Sequence, residues 1–477
     1  MVVGLVAGRA FDQRTGITSR ELQQAADRMH ELLAPSSSVF VVERGGGPEG
    51  LRHVALDRLI DLMSLHGLHF YRTEKPGIAC SPTGLIAPDD VVLIKVNCQW
   101  EERGGTNTDL LKGLIYRITQ HPDGFTGEIV VADNGQGRGG LNWTNSNAED
   151  HAQSAQDVVN LFSGSHKVST FLWDTIYNQL VSEFDAGDSG NGYVRAANPD
   201  PQSGLRVSYA KFTTPYGTQI SVKRGIYKPG TYDREKLKVI NLPVLKSHSG
   251  FAVTACVKHY MGVQSQPLSD AHNRLSSGSM GSLFVDLGLP VLNILDAIYV
   301  NPNPIGQSGN GPATSYGQAS KVDTLMASLD PFALDYWASK NVLMPAAIAR
   351  GYTDVSSMDP DRTGIFRTYL QAAKNIVLLA GHPVTTDPKN ITVFRASDER
   401  PLLTDMAVDP SGNIALKWLE IAPGSFSYTV EQAADLQGTW EPVPGTAWPI
   451  LDTQWSGAAG ASGGVSFYRV RRDKGPK

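Results

Sequence analysis

Two short apolar runs, separated by a stretch of helical length, limit most strongly what this chain can fold into. Residues 91–97, "VVLIKVN", and 128–133, within "GEIVVADNGQGRGG", are β-branched and apolar almost throughout, the pattern of strands buried on both faces. Between them, "TNTDLLKGLIYRITQH" opens with Thr106, Asn107 and Thr108, residue types suited to capping a helix N-terminus, and continues with helical spacing. Strand, helix, strand in this order needs a crossover, so the two strands lie parallel in one sheet with helices on its faces. The fold class is α/β, a three-layer core around a parallel or mixed sheet.

The same reading extends along the chain. "SRELQQAADRMHELLA" has helical spacing, and 51–65 sets Leu51, Val54, Leu59, Leu62 and Met63 along one helix face. From 184 to 233 the chain turns to Gly, Ser and Asn with alternating polar and apolar residues, which predicts a β-hairpin insertion. The α/β pattern resumes at "KLKVINLPVL" and runs through "PVLNILDAIYV", "VDTLMASLDPFALDYWASKNVL" and a last helix near "TYLQAAKNIVLL". Beyond 389, short alternating strands between Gly, Pro and Ser turns predict a small all-β sandwich of fibronectin or immunoglobulin type. The expected organisation is an α/β core over 1–388, with the insertion at 184–233, and a β module over 389–477. The segments "YTVEQAADLQGTWEPV" and "FYRVR" resemble C-terminal modules of exported bacterial proteins. That resemblance implies a periplasmic or extracellular protein whose leader is absent from this chain, with module-mediated attachment to a surface or polymer; a cytoplasmic protein is the alternative.

Composition narrows the partners. A net charge of −5 without a long Lys/Arg run argues against nucleic acid. No window reaches the ~18–20 apolar residues of a membrane helix, so no transmembrane segment is expected. Cys80, Cys98 and Cys256 form no C-x-x-C pair, and neither a disulfide framework nor a zinc knuckle is written here.

Against this mildly acidic background, "NLPVLKSHSGFAVTACVKHYMGV" (241–263) gathers two lysines and two histidines among apolar neighbours. Burying an ammonium group is costly unless a partner, a ligand or a lowered pKa offsets it. "LKVINLPVL" reads as a buried parallel strand, "KSHSG" as the turn at its C-terminal end, and "FAVTACVKHYMG" as a helix stopped by Gly262. Ligands in open α/β sheets bind at the carboxyl ends of strands, which places Lys246 and His248 at such a site. Thr254 and Lys258, four apart on the expected helix, share a face. Lys246, His248 and Lys258 then converge on one anionic group.

"VLIKVN", "TNT", "IVVADNGQG", the 241–263 block, "LNILDAIYV", "GNGP" and "SLDPFALDYWASK" occur in the order and spacing of the DUF362 family, which the chain resembles from about 91 to 343. The resemblance implies a shared architecture and site without naming a reaction. Many relatives carry a four-cysteine ferredoxin-like module; this chain has none, so no iron–sulfur cofactor is expected. Matched polar positions are Lys95, Asn97, Asp133, Lys246, His248, Lys258, Asp296, Asp330 and Asp335; His259 stands where relatives frequently show asparagine. Lys95, Asn97 and Asp133 follow apolar strands, and Asp296 follows "LNIL", so all four are expected on the sheet edge that holds Lys246. Asp330 before Pro331 suits a helix N-cap, whereas Asp335 inside an apolar helix needs a partner such as Lys246 or Lys258.

The expected function is an enzyme acting on a small anionic organic substrate. Lys246, His248, Lys258 and Asp133 are the catalytic candidates, and Lys95, Asn97, Thr254 and Asp335 the substrate-binding ones. A lysine whose pKa is lowered by burial and a neighbouring cation can also form a Schiff base. A divalent metal on His248, Asp133 and Asp296 is a further expectation. A protein of another class, an exported ligand-binding protein, is the alternative. "DNGQGRGG" suggests a small-anion loop or an ordinary tight turn, not a dinucleotide fingerprint. Arg103 and Arg138, in glycine-rich loops, are expected to be solvent-exposed.

Overall fold

A computed structural model of the chain describes residues 36–397, 402–411, 413–419, 427–434, 439–458 and 467–473; the helix expected in "SRELQQAADRMHELLA" lies outside them. The strands of the central sheet are β1 (Ser37–Glu43), β2 (Val91–Lys95), β3 (Glu128–Asp133), β4 (Lys167–Leu172), β5 (Leu237–Asn241), β6 (Val244–His248), β7 (Ala252–Thr254), β8 (Leu292–Asn301), β9 (Ser320–Ser328) and β10 (Ile391–Ser397). Their spatial order is β10-β1-β9-β8-β5-β2-β3-β4, with β6 also paired to β8 and β7 to β6. Strands β4, β3, β2, β5 and β8 are mutually parallel, and β9 runs antiparallel to β8 and β1, which makes the sheet mixed.

Alternation along the strands builds two cores. Val91 and Leu93 of β2 and Val130 and Ala132 of β3 face one side, while Val92, Ile94, Ile129 and Val131 face the other. The second side is covered by α1 (Val54–Leu65), α2 (Thr108–Thr119) and α3 (Ala155–Phe162). Helix α2 begins as its sequence predicts, with Asn107 accepting from the N–H groups of Asp109 and Leu110. The first side packs on α5 (Ser279–Leu287) and α7 (Ile365–Leu379), introduced after the one-turn α4 (Cys256–His259) and, before α7, α6 (Pro331–Ala338). It also packs on residues of a five-stranded antiparallel meander spanning 192–233.

Strand β10 pairs in parallel with β1 over seven residues, from Ser37 opposite Ile391 to Glu43 opposite Ser397. The central sheet therefore continues past residue 389, where the sequence pattern places the start of the tail. After it, Leu402–Val408, Asn413–Leu419 and Gln454–Ala458 form one antiparallel sheet, and Ser427–Ala433, Glu441–Pro442 and Phe467–Asp473 another. Ile414, Leu416, Trp418 and Trp455 from the first sheet share a core with Tyr428, Val430 and Val470 from the second. Among the described residues no helix is long and apolar enough to cross a membrane.

Candidate functional site

Pro243 interrupts the run that the sequence presents as one strand, so β5 and β6 lie end to end along β8: Asn241 opposite Asn293, then Val244 opposite Asp296. Lys246 is thus inside a strand and not in the turn after it. The chain reverses at Ser249 and Gly250 into β7, where Thr254 stands opposite Lys246. This corrects the expected helix: "FAVT" is a turn and a strand, and the helix is only α4 followed by a 3-10 turn at Tyr260–Val263. A short apolar run is equally compatible with strand and helix, and here the β-branched Val253 and Thr254 pair with β6. Thr254 and Lys258 approach the same recess from different elements.

That recess is a small cavity of about 30 Å3, and its lining includes Lys95, Asn97, Asp133, Lys246, His248, Thr254 and Lys258. Lys95 and Asp133, each only 2% exposed, form an ion pair of 2.7 Å at the ends of β2 and β3. Lys95 Nζ also lies 3.1 Å from the Val96 carbonyl and 3.0 Å from His259 Nε2. His259 Nδ1 faces Asn241 Oδ1 at 2.8 Å, and Nε2 lies 2.9 Å from the Val96 carbonyl as well as beside Lys95; with the ring proton on Nδ1, Nε2 accepts from Lys95. A carboxylate, a carbonyl and an imidazole nitrogen thus surround the Lys95 ammonium group. Asp133 Oδ2 accepts from the Cys98 N–H at 2.7 Å. Burial works against the charge on both members of this pair, and their mutual attraction opposes it.

Lys246 and Lys258 differ. Lys246 is fully buried and its Nζ donates to the Gly104 carbonyl at 2.5 Å. Lys258 Nζ lies 3.4 Å from Met261 Sδ, 3.5 Å from His272 Nε2 and 4.9 Å from the centroid of the Phe251 ring. Among the described residues, neither nitrogen forms an ion pair. Burial first, and then the Lys258 charge, hold Lys246 well below the usual lysine range. Burial and the Lys95 charge bring Lys258 down to about 7. His248 Nδ1 accepts from the Gly250 N–H at 3.0 Å, so Nε2 carries the proton of the neutral ring. Burial and the two lysine charges push His248 down to about 2. The hydroxyl of Thr254 and Oδ1 of Asn97 are buried without a hydrogen-bond partner among the described residues.

Two expected carboxylates are elsewhere. Asp335 accepts from the N–H groups of Cys256 at 2.7 Å and Val257 at 2.9 Å; it caps α4 and partners neither lysine. Burial raises it to about 7. Asp296 accepts from Ile298 N–H at 3.0 Å and Asn107 N–H at 3.1 Å, which ties β8 to the start of α2. The expected metal set of His248, Asp133 and Asp296 is therefore not assembled, and among the described residues no group of three such donors is placed to hold an ion. Asp330 is the N-cap of α6, accepting from Phe332 and Ala333 N–H.

In the "DNGQGRGG" loop, the N–H groups of Gly135 and Gly137 each lie 2.5 Å from an Asp174 oxygen, so a side chain of the protein occupies the place an anion would take. Arg138 is exposed, but Arg103 is buried, hydrogen-bonded to Asn147 and stacked 3.6 Å over the Tyr299 ring; cation–π contact with β8 overrides the expectation drawn from its loop. Sequence reasoning passed over His272, which sits in the polar loop "SDAHNR" with no periodicity to mark it, and Asn134, Trp100 and Met261, whose residue types carry no chemical signature.

Lys246, His248, Thr254, Lys258 and His272 all come from one continuous stretch, and that stretch is the one a family model recognises. Residues 234–340 match the family described as Domain of unknown function (DUF362). The matched segment thus supplies β5 to β9 and about half of the recess lining, whereas Lys95, Asn97 and Asp133 come from the strand-helix-strand unit before it. The match spans a smaller part of the chain than the 91–343 over which the motifs resemble the family. Neither the curated proteins nor the solved structures compared with the chain gave a match.

Proposed function

We propose that the recess binds the carboxylate or phosphate of a small organic molecule and that the protein is an enzyme acting on it. The observation that carries this reading is the pair of buried lysines, Lys246 and Lys258, which line one recess with no carboxylate among the described residues paired to either. Two desolvated ammonium groups are unfavourable together, and an anion between them relieves both costs at once. Lys95 is excluded from this part because Asp133, Val96 and His259 already take its protons. In this reading Lys246 holds the anion, the His248 Nε2–H and the Thr254 hydroxyl orient it, and Lys258, poised near neutral pH, exchanges a proton with the bound molecule. Calorimetric titration of inorganic phosphate tests it: one site per chain should be seen, and Lys246→Met should remove most of the binding while the protein stays folded.

A further inference from the structure

We propose that Lys258 is a nucleophile whose Nζ forms a reversible imine with the carbonyl carbon of an anionic ligand held by Lys246. This rests on the anion-binding reading above and assigns Lys258 a covalent part beyond proton exchange.

The surroundings of the three buried lysines separate their chemistry. Lys95 is saturated by a carboxylate, a carbonyl and an imidazole, and Lys246 is engaged by the Gly104 carbonyl. The Lys258 nitrogen meets a thioether, the face of Phe251 and one imidazole nitrogen. An amine in apolar surroundings beside other cations is the arrangement that activates a lysine for carbonyl chemistry. Near neutral pH both its charged and neutral forms are populated.

His272 supplies the proton path. Its Nδ1 faces Gln266 Oε1 at 2.6 Å and so bears the ring proton, which directs the Nε2 lone pair toward Lys258 Nζ at 3.5 Å. In the fraction of Lys258 that has released its ammonium proton to solvent, the nitrogen pair is free. That pair forms the N–C bond as the carbonyl π pair moves to oxygen, and the oxygen takes a proton from nitrogen to give the carbinolamine. A proton from solvent, relayed through His272, passes to the hydroxyl, water departs with the C–O pair, and the nitrogen pair closes a protonated C=N bond. Amine, carbonyl and one proton give iminium and water, with no oxidant or reductant.

Glyoxylate, which joins an aldehyde to a carboxylate, is a suitable probe. The full-length protein is incubated with glyoxylate, reduced with borohydride and mapped by peptide mass spectrometry, with and without phosphate. A carboxymethyl group on Lys258 in preference to exposed lysines is expected, with protection by phosphate. Lys258→Arg, which keeps the charge, should give none there. Lys246→Met should require about ten- to a hundredfold more glyoxylate for the same extent. A protein that binds phosphate but carries no adduct on Lys258, or carries it no faster than on exposed lysines, loses the imine and keeps the anion site. An adduct on Lys258 that neither phosphate nor Lys246→Met affects keeps the nucleophile and removes the anion site. Neither phosphate binding nor an adduct overturns both.

Discussion

Lys95 and Lys258 are both buried lysines lining one recess, and their neighbours set them apart: three acceptors around the first, a thioether, a ring and an imidazole around the second. The consequence for stability follows from the sign of the Lys258 shift. Its folded pKa of about 7 lies below the ~10.4 of a free lysine, so between these values the unfolded chain binds the extra proton. Stability contributed by this group is therefore lost below about pH 7 and grows as pH rises toward 10. Lys246 acts in the same direction. Lys95, which burial also holds below its usual range despite Asp133, acts in the same direction, whereas His248 and His272 are already neutral in that window. Denaturant unfolding should show greater stability at about pH 9 than at about pH 7, with the difference reduced in Lys258→Met. An unchanged difference in that variant would mean that Lys258 titrates as an ordinary surface lysine. The sequence made a perturbed lysine readable, since "KSH" and "VKH" stand among apolar residues. It did not show which lysine lacks a partner, because the neighbours that decide this, Asp133, Gly104 and His272, are remote in sequence or outside any motif.

At the scale of elements, the site is held by a strand pair and one helical turn. β6 and β7 place Lys246 and Thr254 opposite each other, and α4, too short to stand by its own hydrogen bonds, carries Lys258. Asp335 anchors that turn from α6 through two backbone N–H groups. Asp335→Ala leaves both donors buried and unpaired, at a cost of about 1–3 kcal/mol each, whereas Asp335→Asn keeps one acceptor and loses less. Thermal unfolding of the two variants should rank them in that order; equal stability of Asp335→Ala and the parent would remove the cap from the account. The β-α-β unit was legible because its strands are buried on both faces and its helix carries its own cap, Asn107. The β6-β7 hairpin was not, because the short apolar run "FAVTACV" fits a helix as well as a strand, and the choice is made by pairing of β7 with β6. The same holds for Asp335: sequence showed a carboxylate needing partners, and the fold provided backbone amides in place of lysines.

For the whole molecule, the recess is shared between two parts of the chain, the strand-helix-strand unit that brings Lys95 and Asp133 and the DUF362 segment that brings Lys246 and Lys258. The alternation that marked the strands of the tail also covers β10, so sequence could not tell that 391–397 joins β1 in the central sheet. We propose that the two small sheets beyond it fold as a unit with their own core, attached to an exported protein. A chain ended near residue 400 should then unfold with the transition of the full protein's core, and one ended at residue 389 should be less stable because it lacks the β10-β1 pairing. Equal stability of the two truncations would contradict that assignment. Whether an anion sits between the buried Lys246 and Lys258 is decided by titrating phosphate in buffers of different ionisation heat above and below neutral pH. One site per chain is expected, with proton uptake on binding at about pH 8 as the anion recharges Lys258 and a loss of about ten- to a hundredfold in affinity in Lys246→Met. Phosphate binding that is unchanged in Lys246→Met and takes up no proton would contradict that placement of the anion.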